Sequence, residues 1–325
     1  MKKLLEVRGL EKRFKVSSGY LHAVDNVSFT VKEEETLGIV GESGCGKSTL
    51  GRLVLRLHEP TEGRIIFDGM DITTFNPEEM RQMRKYMQII FQDPYASLNP
   101  RLTVAQSIED PLKVFKAYAN EKDRRRRVEE LMELVGLSVN NFNAYPHEFD
   151  GGRRQRVVIA RTLAVNPKFV VCDEPVSALD VSVQAQILNL MMQLQKQLGL
   201  TYIFISHNLS VVRHISDNVG VMYLGKLVEL APKKDIFNNP THPYTRALLS
   251  AIPSVDIDNR KDRMILKGEI GSPINPKPGC RFASRCPYAE EVCITKDPVL
   301  TDIGDGHYVS CFRHAETRNM PFIYK

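Results

Sequence analysis

The sequence predicts an α/β fold preceded by an antiparallel β portion, interrupted by a helical portion and followed by a small loop-rich extension. Three observations carry that expectation. The apolar run Thr36-Leu-Gly-Ile-Val40 leads into the glycine-rich stretch Gly41-Glu-Ser-Gly-Cys-Gly-Lys-Ser-Thr49 and then into a helix-like segment over residues 50–57. A second apolar run, Phe169-Val-Val-Cys172, ends directly in Asp173-Glu174-Pro175, the pattern of a central parallel strand delivering two carboxylates to its C-terminal edge. Four of the six cysteines lie beyond residue 279, in a segment rich in Pro and Gly.

Along the chain, residues 4–40 alternate in polarity as antiparallel strands do, and Gly63-Arg-Ile-Ile-Phe67 before Asp68-Gly69 reads as a strand and turn. Residues 93–165 are expected to be mainly helical, with one helix over 124–135 and an interruption at Asp93-Pro-Tyr-Ala-Ser-Leu-Asn-Pro100. Residues 169–172, 202–206 and 219–224 read as sheet strands separated by helices such as 183–198. Pro232, Pro240 and Pro243 mark 231–243 as a linker, placing one large domain over 1–235 and an extension over 236–325.

Composition agrees. The 325 residues are 42% hydrophobic, enough to fill the core of a large domain, and carry a net charge of +5 spread along the chain. The run Arg124-Arg-Arg-Arg127 is followed by Glu129-Glu130 and reads as the solvated face of a helix, so nucleic acid is not an expected partner. The N-terminus has no apolar core long enough for a signal peptide, and no apolar run approaches the ~18 residues of a membrane span, so a soluble cytoplasmic protein is expected unless it docks to something.

The glycine-rich stretch fits G-x-x-x-x-G-K-[ST], a loop that wraps a nucleoside triphosphate. Gly41, Gly44 and Gly46 let the backbone, with Ser43, Cys45 and Thr49, turn its N–H groups onto phosphate; Lys47 supplies a point charge and Ser48 a hydroxyl for Mg²⁺. The helix after the loop adds its N-terminus to the anion site. Of the two carboxylates, Asp173 would hold Mg²⁺ through water and Glu174 would polarise the attacking water, since hydrolysis needs one group at the metal and another at the nucleophile.

Between these elements, Phe149-Asp-Gly-Gly-Arg-Arg-Gln-Arg156 opens a helix with two glycines. The order of phosphate loop, Gln92, Gly-Gly-x-x-Gln-Arg, Asp-Glu-Pro, Ser177-Ala-Leu-Asp180 and Ser206-His207 resembles an ATP-binding cassette (ABC) ATPase, a P-loop NTPase, over roughly residues 4–235. That resemblance implies ATP and Mg²⁺ held between two head-to-tail subunits, each contributing its Gly151-Gly152 helix to the other's ATP. It further implies that Gln92 senses Mg²⁺ and the membrane subunit, that His207 contacts the γ-phosphate, and that Asp180 lies on the dimer-facing loop. Phe14 would stack on adenine, with Tyr20 as the rival. Asp150 and Arg153 depart from the family pattern, which has Ser and Gln; an ionised Asp accepts hydrogen bonds and cannot donate one to the γ-phosphate, yet it caps a helix as well as Ser.

Cys280, Cys286, Cys293 and Cys311 form C-x5-C-x6-C-x17-C. Clustered thiols in a cytoplasmic chain point to metal rather than disulfides, and the choice between zinc, with His307 or His314 as further ligands, and iron–sulfur stays open on spacing alone. Gly279-Cys-Arg-Phe-x-x-Arg-Cys-Pro287, with Phe91-Gln-Asp-Pro-Tyr-Ala-Ser-Leu-Asn-Pro100 and Asn239-Pro-Thr-His-Pro-Tyr-Thr-Arg-Ala-Leu-Leu249, resembles the ATP-binding subunits of dipeptide and oligopeptide permeases. This second resemblance implies a 4Fe-4S cluster on the four cysteines, with Zn²⁺ the alternative. It also implies two transmembrane permease subunits, a second ATPase subunit forming a heterodimer, an extracytoplasmic peptide-binding protein engaged indirectly, and a peripheral place on the cytoplasmic face of the membrane. Nickel and oligosaccharide importers share these motifs. A DNA-associated ABC ATPase is disfavoured because only about 100 residues separate Lys47 from Gly151, too few for an inserted coiled coil, and a translation-type protein would carry two cassettes.

Overall fold

The computed structural model describes residues 2–252, 264, 266, 268 and 271–320. The chain divides into two compact units, one holding residues 2, 32–34 and 74–203, the other holding 3–31, 35–73 and the described residues from 204 onward.

The latter unit opens with β1 (Lys3–Val16), β2 (Gly19–Lys32), β3 (Thr36–Val40), α1 (Lys47–Val54), β4 (Glu62–Phe67) and β5 (Met70–Asp71). A four-stranded sheet runs in the order β2-β1-β4-β5, with β1 antiparallel to β4 from Leu5 opposite Phe67 to Glu11 opposite Glu62. In β2, buried Val27, Phe29 and Val31 alternate with exposed Asn26, Ser28 and Lys32, the two-residue period of a sheet with one face in a core. In β3 all five residues are buried, which is why it reads as a continuous apolar run instead.

The other unit continues with α2 (Pro77–Met83), β6 (Met87–Ile90), α3 (Pro94–Ser97), α4 (Val104–Val114), α5 (Glu121–Leu134), α6 (Gly151–Leu163), β7 (Phe169–Asp173), α7 (Val181–Leu198) and β8 (Thr201–Ile205). Strands β8, β7 and β6 lie side by side, β6 and β7 parallel with Met87 opposite Phe169. Local signals set the helix starts. Thr103 and Gln106 form a reciprocal capping box ahead of α4, and Asn120 caps α5 through the N–H of Asp123. The basic run of α5 is a helix face, as expected, with Arg125 paired to Glu129 and Arg126 to Glu130 one turn on.

From residue 209 follow α8 (Leu209–Ile215), β9 (Asn218–Tyr223), β10 (Lys226–Pro232), α9 (Lys233–Asn238), α10 (Pro243–Ser250), α11 (Glu291–Thr295), β11 (Thr301–Asp302), β12 (Tyr308–Val309) and α12 (His314–Asn319). Within this unit the strand order is β11-β12-β10-β9-β3, with β3 and β9 parallel and the others antiparallel. Residues 231–243 are therefore not a linker. Pro232 closes β10, and Pro243 occupies the first turn of α10, where its missing N–H costs nothing. The C-terminal segment joins the sheet through β12, and the fully buried Glu229 of β10 fastens it. The Glu229 carboxylate accepts from the N–H groups of Thr241 and His242 at 2.6 and 3.0 Å and meets His307 Nε2 at 2.7 Å, so this buried acid is satisfied from the extension.

Candidate nucleotide site and cysteine module

The phosphate loop is the turn between β3 and α1, and its glycines are required by space as well as by angle. Gly46 stands at φ 104°, and a Cβ there would come within 2.0 Å of the Ala23 carbonyl oxygen. Lys47 is buried in the first position of α1 and folds back onto the loop, its Nζ donating to the carbonyl oxygens of Gly41 at 2.8 Å and Glu42 at 2.9 Å. Three donors on one ammonium let it exchange these carbonyls for phosphate oxygens without losing its place. Ser48 and Thr49 follow in the same turn, Ser43 and Gly44 face solvent, and Cys45 is buried with its thiol pushed up by desolvation. The Cys45 carbonyl accepts from Gly225 N–H, which ties the loop to the turn after β9.

In the other unit, β7 carries Asp173 into the interior and is followed by Glu174, which is partly exposed at φ 51°. A left-handed glutamate is an uncommon and strained conformation for a residue with a side chain, and such strain gathers at functional positions. Gln92 Nε2 donates to the Glu174 carboxylate at 3.2 Å, so the glutamine after β6 and the acid after β7 are brought together. Ser177 holds the Glu174 carbonyl through both its N–H and its hydroxyl. Asp150 caps α6, its carboxylate accepting from Arg153 N–H at 2.7 Å, and Arg153 Nε stands 3.5 Å from the same carboxylate. The glycines that follow are pressed by neighbours: a Cβ on Gly152 would come within 2.7 Å of Val183. Asp180 is exposed and heads α7 without its side chain capping the helix.

Beyond α10, Cys280, Cys286, Cys293 and Cys311 are unpaired thiols that line one cavity with Phe282, Tyr288 and Pro298. Burial pushes the thiol of Cys280 up to about 11 and that of Cys311 to about 12, and neighbouring thiols add to the rise. Backbone N–H groups bond in the opposite sense, favouring thiolate, from Phe282 and Ala283 onto Cys280, Tyr288 onto Cys286 and Arg313 onto Cys311. Among the described residues no three Cys, His, Asp or Glu side chains close on a point where a single ion would be held. His307 is turned to Glu229 and His314 Nδ1 to the Cys311 carbonyl.

Residues 24–177 match the ABC transporter family, and residues 228–293 match the C-terminal region of oligopeptide/dipeptide transporters. Among similar proteins, the oligopeptide transport ATP-binding protein AppF of Bacillus subtilis is 51% identical over 318 residues, 95% of this chain and 96% of that protein. The dipeptide transport ATP-binding protein DppF of Escherichia coli is 49% identical, over 97% of this chain and 96% of that protein. Among solved structures, the dimeric ATP-binding cassette MJ0796, in a post-hydrolysis state bound to ADP and Pi, superposes with a TM-score of 0.65 at 28% identity, covering 71% of this chain and 99% of that one. The chain belongs to the ATP-binding subunits of the ABC transporters. It is an ATPase of the oligopeptide/dipeptide branch of that family.

For this ABC ATPase, the loop, the acidic strand and the glycine-led helix each lie where the sequence places them. His207 is exposed in the turn between β8 and α8, after the buried Ser206 whose hydroxyl accepts from Asn208 N–H. Phe14 lies half-buried on β1, edge-on to His58 at 5.7 Å with Lys12 Nζ 5.1 Å from its ring centre, whereas Tyr20 on β2 is 51% exposed. Two features were not read from sequence. One is the pairing of Gln92 with Glu174. The other is a set of contacts on Glu42, the second residue of the phosphate loop: its carboxylate meets Arg285 and its N–H donates to Tyr244 Oη at 3.0 Å. The only sequence signal for the latter is that Tyr244 and Arg285 both fall inside the stretches that resemble peptide permeases.

Proposed function

We propose that this ATPase powers the import of di- and oligopeptides through two partner membrane subunits, sitting peripherally on their cytoplasmic face. The observation that carries the reading is near-half identity, end to end, to proteins named for oligopeptide and dipeptide transport, extending through the C-terminal region. Among the described residues no helix is long and apolar enough to cross a membrane.

In this reading Lys47 and the loop N–H groups hold the β- and γ-phosphates, and Ser48, Gln92 and Asp173 would hold Mg²⁺, which would neutralise phosphate charge. Glu174 orients and polarises the attacking water, His207 contacts the γ-phosphate, and Phe14 stacks on adenine, with Tyr20 as the rival. Two such subunits pair head to tail in this reading, so that Gly151 and Gly152 of one chain face the ATP of the other and Asp180 faces the seam; that the MJ0796 cassette is dimeric supports the pairing. The second subunit is a different ATPase, and a solute-binding protein outside delivers peptide to the membrane subunits. ATP binding closes the pair and hydrolysis reopens it.

The four cysteines hold a 4Fe-4S cluster in this proposal. Support comes from the donor set: four thiols on one cavity, with backbone N–H groups bonded to three of them, an arrangement suited to anionic sulfur. Zinc on the same four thiols is the alternative. When bound, the cluster staples a loop-rich segment with little core of its own.

Purification of the complex, identification of its subunits and ATP-dependent uptake of a labelled dipeptide test the function together. Two polytopic membrane subunits, with uptake abolished by Glu174→Gln, are expected. Recovery of DNA-repair subunits, or uptake indifferent to that substitution, would overturn it.

A further inference from the structure

We propose that Arg285 is a positioning residue for nucleotide binding, and that through it the C-terminal extension clamps the phosphate loop. The geometry converges on Glu42. Its carboxylate receives Arg285 in a fork, Nη1 at 3.2 and 3.0 Å from the two oxygens and Nη2 at 3.2 Å from the first. Its backbone N–H donates to Tyr244 Oη, and its carbonyl accepts from Lys47 Nζ. One loop residue thus joins the lysine expected to take the phosphates to two side chains of the extension, 202 and 243 positions away in sequence.

The clamp is built to be stiff. Arg285 is nearly buried, at 10% exposure, and Nη1 also donates to Tyr223 Oη at 3.3 Å. It stands on a single helical turn, Ala283–Arg285, closed by its own backbone bonds from Ala283 N–H to Cys280 and from Arg285 N–H to Phe282. Tyr244 is fully buried and packs against Tyr223 and Phe282 with ring centres 4.6 and 5.4 Å away. A second arginine of the same loop, Arg281, pairs with Asp25, two residues along β2 from Ala23, whose carbonyl abuts Gly46. A planar guanidinium on a partly buried carboxylate fixes orientation as well as distance, which an ammonium does not.

A loop held in one conformation loses less entropy when phosphate arrives, so the clamp contributes to affinity without touching nucleotide. The full-length chain is titrated with fluorescent ADP and, separately, melted without nucleotide. Arg285→Ala should raise Kd about tenfold, Arg285→Lys less, and Tyr244→Phe severalfold, the last removing one oxygen while keeping the ring packing. Glu42→Gln should resemble Arg285→Ala, and the double substitution should be no worse than either alone, because both break one contact. A Kd within twofold of the parent for Tyr244→Phe and Arg285→Lys would overturn the proposal. So would effects of Glu42→Gln and Arg285→Ala that multiply, or melting temperatures that fall while Kd stays fixed, which would make the contact a strap and nothing more.

Discussion

Replacing Asp150 by Ser should raise the ATPase of the isolated subunit about tenfold. In the proposed head-to-tail pair this residue faces the partner's γ-phosphate, and a homodimer would place the same acid at both sites. Two unit charges ~4 Å apart repel by ~1 kcal/mol in water and ~4 kcal/mol at an effective dielectric of about 20. The Asp150 side chain is 66% exposed and Arg153 lies 3.5 Å from it, which argues for the lower part of that range. A relief of ~1.4 kcal/mol corresponds to the tenfold gain. Because Ser caps a helix as well as Asp, α6 should keep its stability. Phosphate release at saturating Mg-ATP gives the rate, and light scattering of the same proteins with ATP gives the dimer. With the natural partner subunit the gain should shrink, since this chain's Lys47 and Glu174 then use the partner's helix. Arg153→Ala should lower the parental rate and leave the Asp150→Ser protein unchanged. Equal rates for parent and Asp150→Ser in the isolated subunit would refute the repulsion argument.

Other outcomes follow from the site. Glu174→Gln should keep ATP binding and lose a hundredfold or more in turnover, with an ATP-bound dimer accumulating in the assembled complex; turnover near the parental rate would mean another residue positions the water. Anaerobically purified protein should be brown with about four irons per chain, and Cys286→Ser should lose the colour, whereas a colourless protein with one zinc would exclude the cluster. Phe14→Ala should weaken fluorescent ATP binding severalfold while Tyr20→Ala leaves it unchanged; the reverse ranking would move the adenine contact to Tyr20.

Motifs that act within one short segment were legible in the sequence. The phosphate loop needs glycines at fixed offsets because a Cβ at Gly46 would strike the Ala23 carbonyl, and the acidic strand announces itself because a strand buried on both faces is apolar throughout. The basic run of α5 was legible for the same reason, its acids standing one turn away. The prolines of residues 231–243 misled because a proline breaks an element only when its N–H is needed; at the end of β10 and the start of α10 it is not.

Contacts that bring distant residues together left no such trace. Gln92 and Glu174 meet across 82 positions, and nothing in either neighbourhood predicts that the glutamine donates to the acid. One amide donor at 3.2 Å occupies a single acceptor position of a carboxylate that offers about four, so in the proposed mechanism the contact orients Glu174 without barring it from a water. The left-handed backbone at Glu174, whose carbonyl Ser177 holds, fixes the residue further, the kind of strain that gathers at functional positions. In the proposed mechanism Gln92→Ala removes a Mg²⁺ ligand and a contact that orients Glu174, so it should lower the ATPase of the assembled complex and raise the Mg²⁺ concentration needed for half its maximal rate, read as phosphate release. A rate and a Mg²⁺ dependence equal to the parent's would show that Gln92 serves neither purpose.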